Sequence, residues 1–233
     1  MEVSFLHAVV YLVFFCLLFI AKKRGGLRLF DDTGFAVDLP MLMILHISGI
    51  ILFGVLPFLF HQPTLPFWDN PSGLQLPVWV SWMLVILLLI LSPRIAAKKF
   101  SHARLNWNSP PGSKYITLYF FVRILFIASY EYWFRGYLLT DAVTAVGVLP
   151  TIAINVFFYA LLHWVNGRQE MIGCFPFGVL LCSLCIWLGA AWPAILLHLA
   201  LTIPYEITFL QKIKKAKTSA IESIHHRRIG LSW

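Results

Sequence analysis

Apolar runs that approach twenty residues recur from one end of this chain to the other, and they limit its fold more than any other feature. A helix needs about 20 apolar residues to cross the hydrocarbon of a bilayer, which is roughly 30 Å thick. Strict alternation is absent from the runs, so they specify helices and not a barrel. With 60% hydrophobic and 12% charged residues, the chain carries more apolar surface than a soluble domain needs. The expectation is an all-α polytopic transmembrane bundle of about seven spans, at residues 3–21, 40–60, 77–92, 115–139, 148–164, 171–188 and 192–210.

The basic residues test that division. Of 18 Lys and Arg, only Arg123 and Arg135 fall within a span. The other 16 lie in the first, third and fifth loops and in the tail, and none lies in loops two, four or six. Seven spans with the N-terminus outside and the C-terminus cytoplasmic place all of them on one side, as cytoplasmic loops require. The first span has no basic stretch ahead of it and no small-residue cleavage site, so it reads as a retained helix. A net charge of +8 also fits nucleic acid in principle. Here, however, the cations flank apolar spans and are not interleaved with stacking aromatics. The expected partners are the lipid bilayer and a peptide or protein at the membrane, with no nucleic acid.

No second domain or repeat is visible. The reading is one integral membrane domain over residues 1–233, with a core at 115–210 and a basic cytoplasmic tail at 211–233. Its expected location is the plasma membrane of a prokaryote. Asp31, Asp32 and Asp38 read as a solvated linker, and the proline-rich stretch 61–76 as a turn-rich loop. Gly49 and Gly54 are placed to admit close helix packing. Cys16, Cys174, Cys182 and Cys185 read as small apolar filler.

Within the spans, ionisable residues gather in three places. Tyr130-Glu131-Tyr132-Trp133-Phe134-Arg135-Gly136 sets a carboxylate one helical turn before a guanidinium on one face. Charged groups cost roughly 2.5–3.5 kcal/mol in a spanning helix on insertion scales, so they are kept where they pair, line a wet cavity or do chemistry. A salt bridge that locks two helices would explain the first pair alone. Asn155, Tyr159 and His163 then form an i+4 stripe on the fifth span, and His198, Thr202 and Glu206 form another on the seventh. An acid and two histidines on separate helices point to an interior site.

Three chemistries use such a set. Glu and His could jointly activate a water. Two His and a Glu could hold zinc with an open fourth position, although no HExxH pair is present. A Ser or Cys nucleophile has the least support, since there is no GxSxG.

These motifs resemble the CAAX-protease and bacteriocin-processing (CPBP, or Abi) family of intramembrane glutamate proteases. The family pattern EExxxR followed by Gly is similar to the stretch from Tyr130 to Gly136. FxxxH is similar to Tyr159-Ala160-Leu161-Leu162-His163, and HxxxN or HxxxD to His198-Leu199-Ala200-Leu201-Thr202. The separations match the family pattern too, with 32 residues from Glu131 to His163 and 35 from His163 to His198. The resemblance implies a metal-independent endopeptidase with no cofactor. In it Glu131 and His163 would activate the water, His198 and Thr202 would stabilise the oxyanion, and Arg135 would hold Glu131. The chain departs from the pattern at Tyr130, where the family has its first Glu, and at Tyr159 and Thr202. A phenol is a poor base near neutrality, its pKa being about 10. Either Glu131 acts as the base instead, or the chain is an inactive relative that binds a membrane partner, in immunity or as a scaffold.

Counting rise along straight helices gives a further expectation. His163 falls near the inner end of its helix while His198 lies near the outer end of its own. The two meet only if the connection at 166–170 dips into the bilayer or the helices tilt. Arg123 and Glu206 are matched in depth and are expected to pair.

Overall fold

The structure is a computed structural model that describes residues 3–31, 34–35, 38–60, 75–100 and 112–230. The proline-rich second loop, Arg104 and the side chains of Asp31 and Asp32 lie outside the described residues. Among those described, the chain forms seven helical rods. They are α1 (Val3–Arg24); α2 (Leu39–Ile50) continued by a π-helical turn (Ile51–Val55) and α3 (Leu56–Phe60); α4 (Gln75–Phe100); α5 (Ser113–Tyr132) continued by a second π turn (Trp133–Leu138) and α6 (Leu139–Val146); α7 (Val148–Trp164); α8 (Arg168–Leu188); and α9 (Trp192–Gly230). The seven expected spans each fall on one rod. A two-residue antiparallel pair, β1 (Phe30–Asp31) and β2 (Gly34–Phe35), crosses the first loop.

The ends of the rods follow from local chemistry. Lys22, Lys23 and Arg24 close α1, where cations complement the carbonyl end of the helix dipole. Asp38 caps α2 by accepting from the Met41 N–H at 2.8 Å. Gly189 ends α8 in the left-handed region at φ 63°, which a side chain would disfavour. Five segments are long and apolar enough to cross a membrane by length and composition. The rod with Arg123, Glu131 and Arg135 is not one of them, and α7 is a shorter apolar helix of 17 residues. Large apolar side chains such as Phe58, Met83 and Leu149 stand outward at 69–79% exposure, as a lipid-facing surface requires. The protein is an integral membrane helical bundle.

Two packing facts position the interior. A Cβ on Gly49 would meet the Phe126 ring at 2.2 Å and one on Gly54 would meet Ser129 Oγ at 2.8 Å, so α2 and its π turn approach α5 more closely than any side chain would allow. Both glycines thus do what their sequence positions suggested. On the other side, α5 packs on α9, α9 along α4, and α7 on α8. Ser92 Oγ of α4 donates to Leu201 O of α9 at 2.5 Å. An aromatic cluster of Phe14, Phe53, Phe126, Trp133 and Phe134 fills the space between α1, α2 and α5.

The α7–α8 connection is covered from below by the first loop. Arg28 donates to Asn166 O at 3.0 Å and also binds the Glu170 carboxylate, which accepts from Asn166 Nδ2 at 2.9 Å. The helical expectation for the seventh span stopped at residue 210. The helix instead runs on through the basic tail to Gly230, because no proline or glycine interrupts residues 205–229.

Candidate active site

A cavity of about 490 Å³ lies between α2, α5, α7, α8 and α9. Tyr130, His163, His198 and Thr202 line its upper part, and His46, Arg123 and Glu206 its lower part. Neighbours on a helix point about 100° apart, and that separates Tyr130 from Glu131. The Tyr130 ring stands on the cavity wall, with its centroid 6.2 Å from the His163 ring and 6.2 Å from the His198 ring. Its hydroxyl is buried and has no hydrogen-bond partner among the described residues. Glu131 is turned off the wall and is fully buried.

Behind the wall Glu131 is held from two sides. Its Oε1 accepts from His198 Nδ1 at 2.6 Å, and its Oε2 lies 3.5 Å from Arg135 Nε. Arg135 is itself fully buried, with its guanidinium 4.7 Å over the Tyr159 ring and its Nη1 donating to Asn155 Oδ1. Asn155 completes the link by donating Nδ2 to Phe134 O at 2.8 Å, and Cys182 Sγ donates to Asn155 Oδ1 at 3.4 Å. The acid is therefore set by His198 of α9 on one side and, through Arg135, by Asn155 of α7 and Cys182 of α8 on the other.

The histidine tautomers follow from these partners, since a carbonyl and a carboxylate only accept. His163 Nδ1 donates to Tyr159 O, 2.9 Å away on its own helix. His198 Nδ1 donates to Glu131. In the neutral form of either ring Nε2 then carries the lone pair. An imidazole backed by a carboxylate can take a proton from water while the acid stabilises the imidazolium. A second ring nitrogen across the cavity can orient that water.

The expected site residues thus come together: Tyr130, His163, His198 and Thr202 on the wall, with Glu131 and Arg135 directly behind it. The acid's hydrogen bond goes to His198, not His163. Both histidine rings reach Tyr130, the meeting for which the sequence required a dipping 166–170 connection or tilted helices. The α7 helix is short, at 17 residues, and the first loop covers its end from below through Arg28. The zinc alternative does not fit the donor set: no three His, Cys, Asp or Glu side chains among the described residues form a metal-binding group. All four cysteines are free.

Lower in the cavity the depth-matched pair forms as expected. Arg123 Nη2 lies 3.3 Å from Glu206 Oε1, and Tyr119 Oη donates to Glu206 Oε2 at 3.0 Å. Arg123 Nη1 donates to His46 Nε2 at 3.0 Å. Sequence reasoning did not give His46 or Asn155 a place in the site. Asn155 had a signal, being the top of the i+4 stripe that ends in His163. His46 stands alone in an apolar run and had none.

Residues 112–203 match the family model described as type II CAAX prenyl endopeptidase, Rce1-like. Comparison with curated proteins and with solved structures found no match. The matched stretch begins one residue before α5 and ends within α9, so it contains all six residues of the upper set. Over residues 112–203 the chain is similar to that family, and a CAAX-protease-like membrane peptidase is the kind of protein that its motifs resemble.

Proposed function

We propose that the chain is a membrane-embedded endopeptidase that hydrolyses a peptide bond in a polypeptide presented at the bilayer, without a metal. The observation that carries this reading is the 2.6 Å pair between buried Glu131 and His198 on the cavity wall, with the His163 ring facing the same cavity. His198 Nε2 takes the proton of a water that His163 Nε2 orients. The imidazolium, stabilised by Glu131, then returns the proton to the leaving amine. The hydroxyls of Tyr130 and Thr202 donate to the oxyanion, and Arg135 holds Glu131 in place. A prenylated C-terminal peptide is the substrate to try first, since the matching family is named for one. The plasma membrane of a prokaryote is the proposed location.

The test is a cleavage assay on purified protein in nanodiscs with such a peptide, with and without a chelator. Cleavage that resists the chelator and is lost in His198→Ala supports the reading. Cleavage that survives His198→Ala sinks it.

A second reading is favoured by one observation. Tyr130 occupies the central place on the wall between the two histidines, and the only carboxylate of the upper set is turned away from it. In that reading the chain is a silent relative that holds a membrane peptide. It is distinguished by Tyr130→Glu, which restores a base on the wall and raises cleavage by roughly 10²–10⁴-fold. If His198 is the base, the same change sets two carboxylates side by side, and cleavage stays level or falls.

A further inference from the structure

Residues 112–203 carry the whole upper set of the site, yet His163 stands on the last turn of α7, where a helix is most prone to fray. We infer that Arg28, in the first loop and outside that stretch, is a positioning residue that clamps the end of α7 and holds the His163 ring on the cavity wall. Its effect on rate rests on the peptidase reading; its effect on geometry does not.

The end of α7 needs such a hold. The helix stops at Trp164, and the N–H groups of Asn166 and Gly167 close its last turn by bonding to His163 O at 3.0 Å and Trp164 O at 3.1 Å. Gly167 then takes φ 119°, which glycine alone adopts freely, and α8 begins at the next residue. Laterally, α7 packs chiefly on α8, α6 and the second π turn, while α9, which carries His198, packs on α4, α5 and α8. The two histidine helices therefore owe their spacing to what lies between and below them.

Arg28 supplies the link from below. It donates to Asn166 O at 3.0 Å and binds the Glu170 carboxylate, which also accepts from Asn166 Nδ2 at 2.9 Å. One planar guanidinium thus ties the turn that closes α7 to the first turn of α8, three residues from His163. The clamp has a firm base. Leu29 and Phe30 beside it are buried, and the Phe30 ring stacks on Phe209 of α9 with centroids 4.7 Å apart. A continuous set of contacts therefore runs from α9 through Phe30 and Arg28 to the end of the helix that bears His163.

Charge gives Arg28 no rival use. The lower chamber of the cavity is lined by three cations, Arg28, Lys99 and Arg123, and by two carboxylates, of which Glu170 pairs with Arg28 and Glu206 with Arg123. With its charge matched by Glu170 and a donor taken by Asn166 O, Arg28 is committed to the α7–α8 connection. Catalytic groups reward such a hold, because a misplacement of about 1 Å can cost roughly 10²-fold in rate.

The experiment uses full-length protein in nanodiscs with isotope-labelled histidine rings, read by NMR, His163 being assigned by the loss of its signals in His163→Gln. Arg28→Gln should displace or broaden the His163 ring signals and leave those of His46 in place. Because that variant leaves Glu170 without its cation, Arg28→Gln/Glu170→Gln repeats the measurement with both charges removed. A His163 signal that stays displaced in the double variant supports the clamp. A signal that returns there reports charge alone and overturns it, and so does one that never moves in Arg28→Gln. Cleavage is read separately. Arg28→Gln should lower kcat roughly 10–100-fold with little change in KM, and Arg28→Lys, which keeps the charge but not the planar fork, should lose less. An undiminished kcat overturns the positioning role, and a rise in KM alone makes Arg28 a substrate contact instead. If the His163 signal moves as expected but the unmodified protein never cleaves, the clamp stands and the peptidase reading falls.

Discussion

Two acid–base pairings link α5 to α9, and they are mirror arrangements of one another. In the upper one α5 supplies the acid, Glu131, and α9 supplies the imidazole of His198. In the lower one α5 supplies the cation, Arg123, and α9 supplies the acid, Glu206. Eight residues separate the two levels on each helix, so the pairings stay in step along antiparallel rods. Their surroundings differ. Glu131 and the Arg135 behind it have no exposed side-chain surface and His198 is 12% exposed, whereas the side chains of Arg123 and Glu206 are 21% and 12% exposed. A dry pair is costly to break and well suited to holding a geometry, while a damp one can exchange partners. The contrast separates a pairing fixed in advance from one that can adjust.

The largest test of that contrast is catalytic. Glu131→Gln and His198→Ala should each lower cleavage by roughly 10²–10⁴-fold. The double variant should be scarcely worse than either, because the two act as a unit. Additive losses in steady-state kinetics would mean that they act separately. Stability comes next. Arg135→Ala leaves Glu131 buried without its cation and should cost about 3–5 kcal/mol. Arg123→Ala leaves Glu206 its Tyr119 bond and cavity water, and should cost nearer 1–2 kcal/mol. Denaturation in mild detergent measures both, and equal losses would erase the distinction between dry and damp. A smaller effect is expected at the wall, where Tyr130→Phe removes one donor to the oxyanion and should lower kcat by about 10²-fold or less with little change in KM. A rise in KM alone would make Tyr130 a binding residue. The last test moves no energy. Lys99→Cys should react with an impermeant maleimide only from the cytoplasmic side, since the lower chamber opens there by the distribution of basic residues. Labelling from outside would invert the bundle.

Much of this was legible in the residues. The number of rods followed from run length and from where the cations stop. The three motifs named six residues that the fold brings to one wall and its backing. Arg123 and Glu206 could be paired because depth along a helix is a count of residues. Rotation and lateral position are not such a count, and the misjudged features share that origin. Which histidine Glu131 reaches depends on how α7 and α9 sit around α5, a lateral placement that run length and depth do not carry. His46 reaches Arg123 only because Gly49 and Gly54 let α2 close on α5. The π turns gave no periodic signal, being single-residue departures from a pattern already blurred by continuous apolarity.

The turn at Trp133–Leu138 has a consequence for how this sequence can change over time. There the Leu139 N–H bonds back to Phe134 O, five residues away, so the helix carries one residue more than an α-helix of the same length. Removing any one residue of the turn would restore regular winding and swing everything beyond it by about 100° relative to what precedes it. On the near side lie Tyr130 and Glu131. On the far side Asp141 holds His7 of α1 at 2.9 Å. A regularised helix can satisfy one set or the other, but not both. A substitution in this segment leaves the register of the rod unchanged, whereas a one-codon deletion would have to be matched by a compensating shift elsewhere in the same rod.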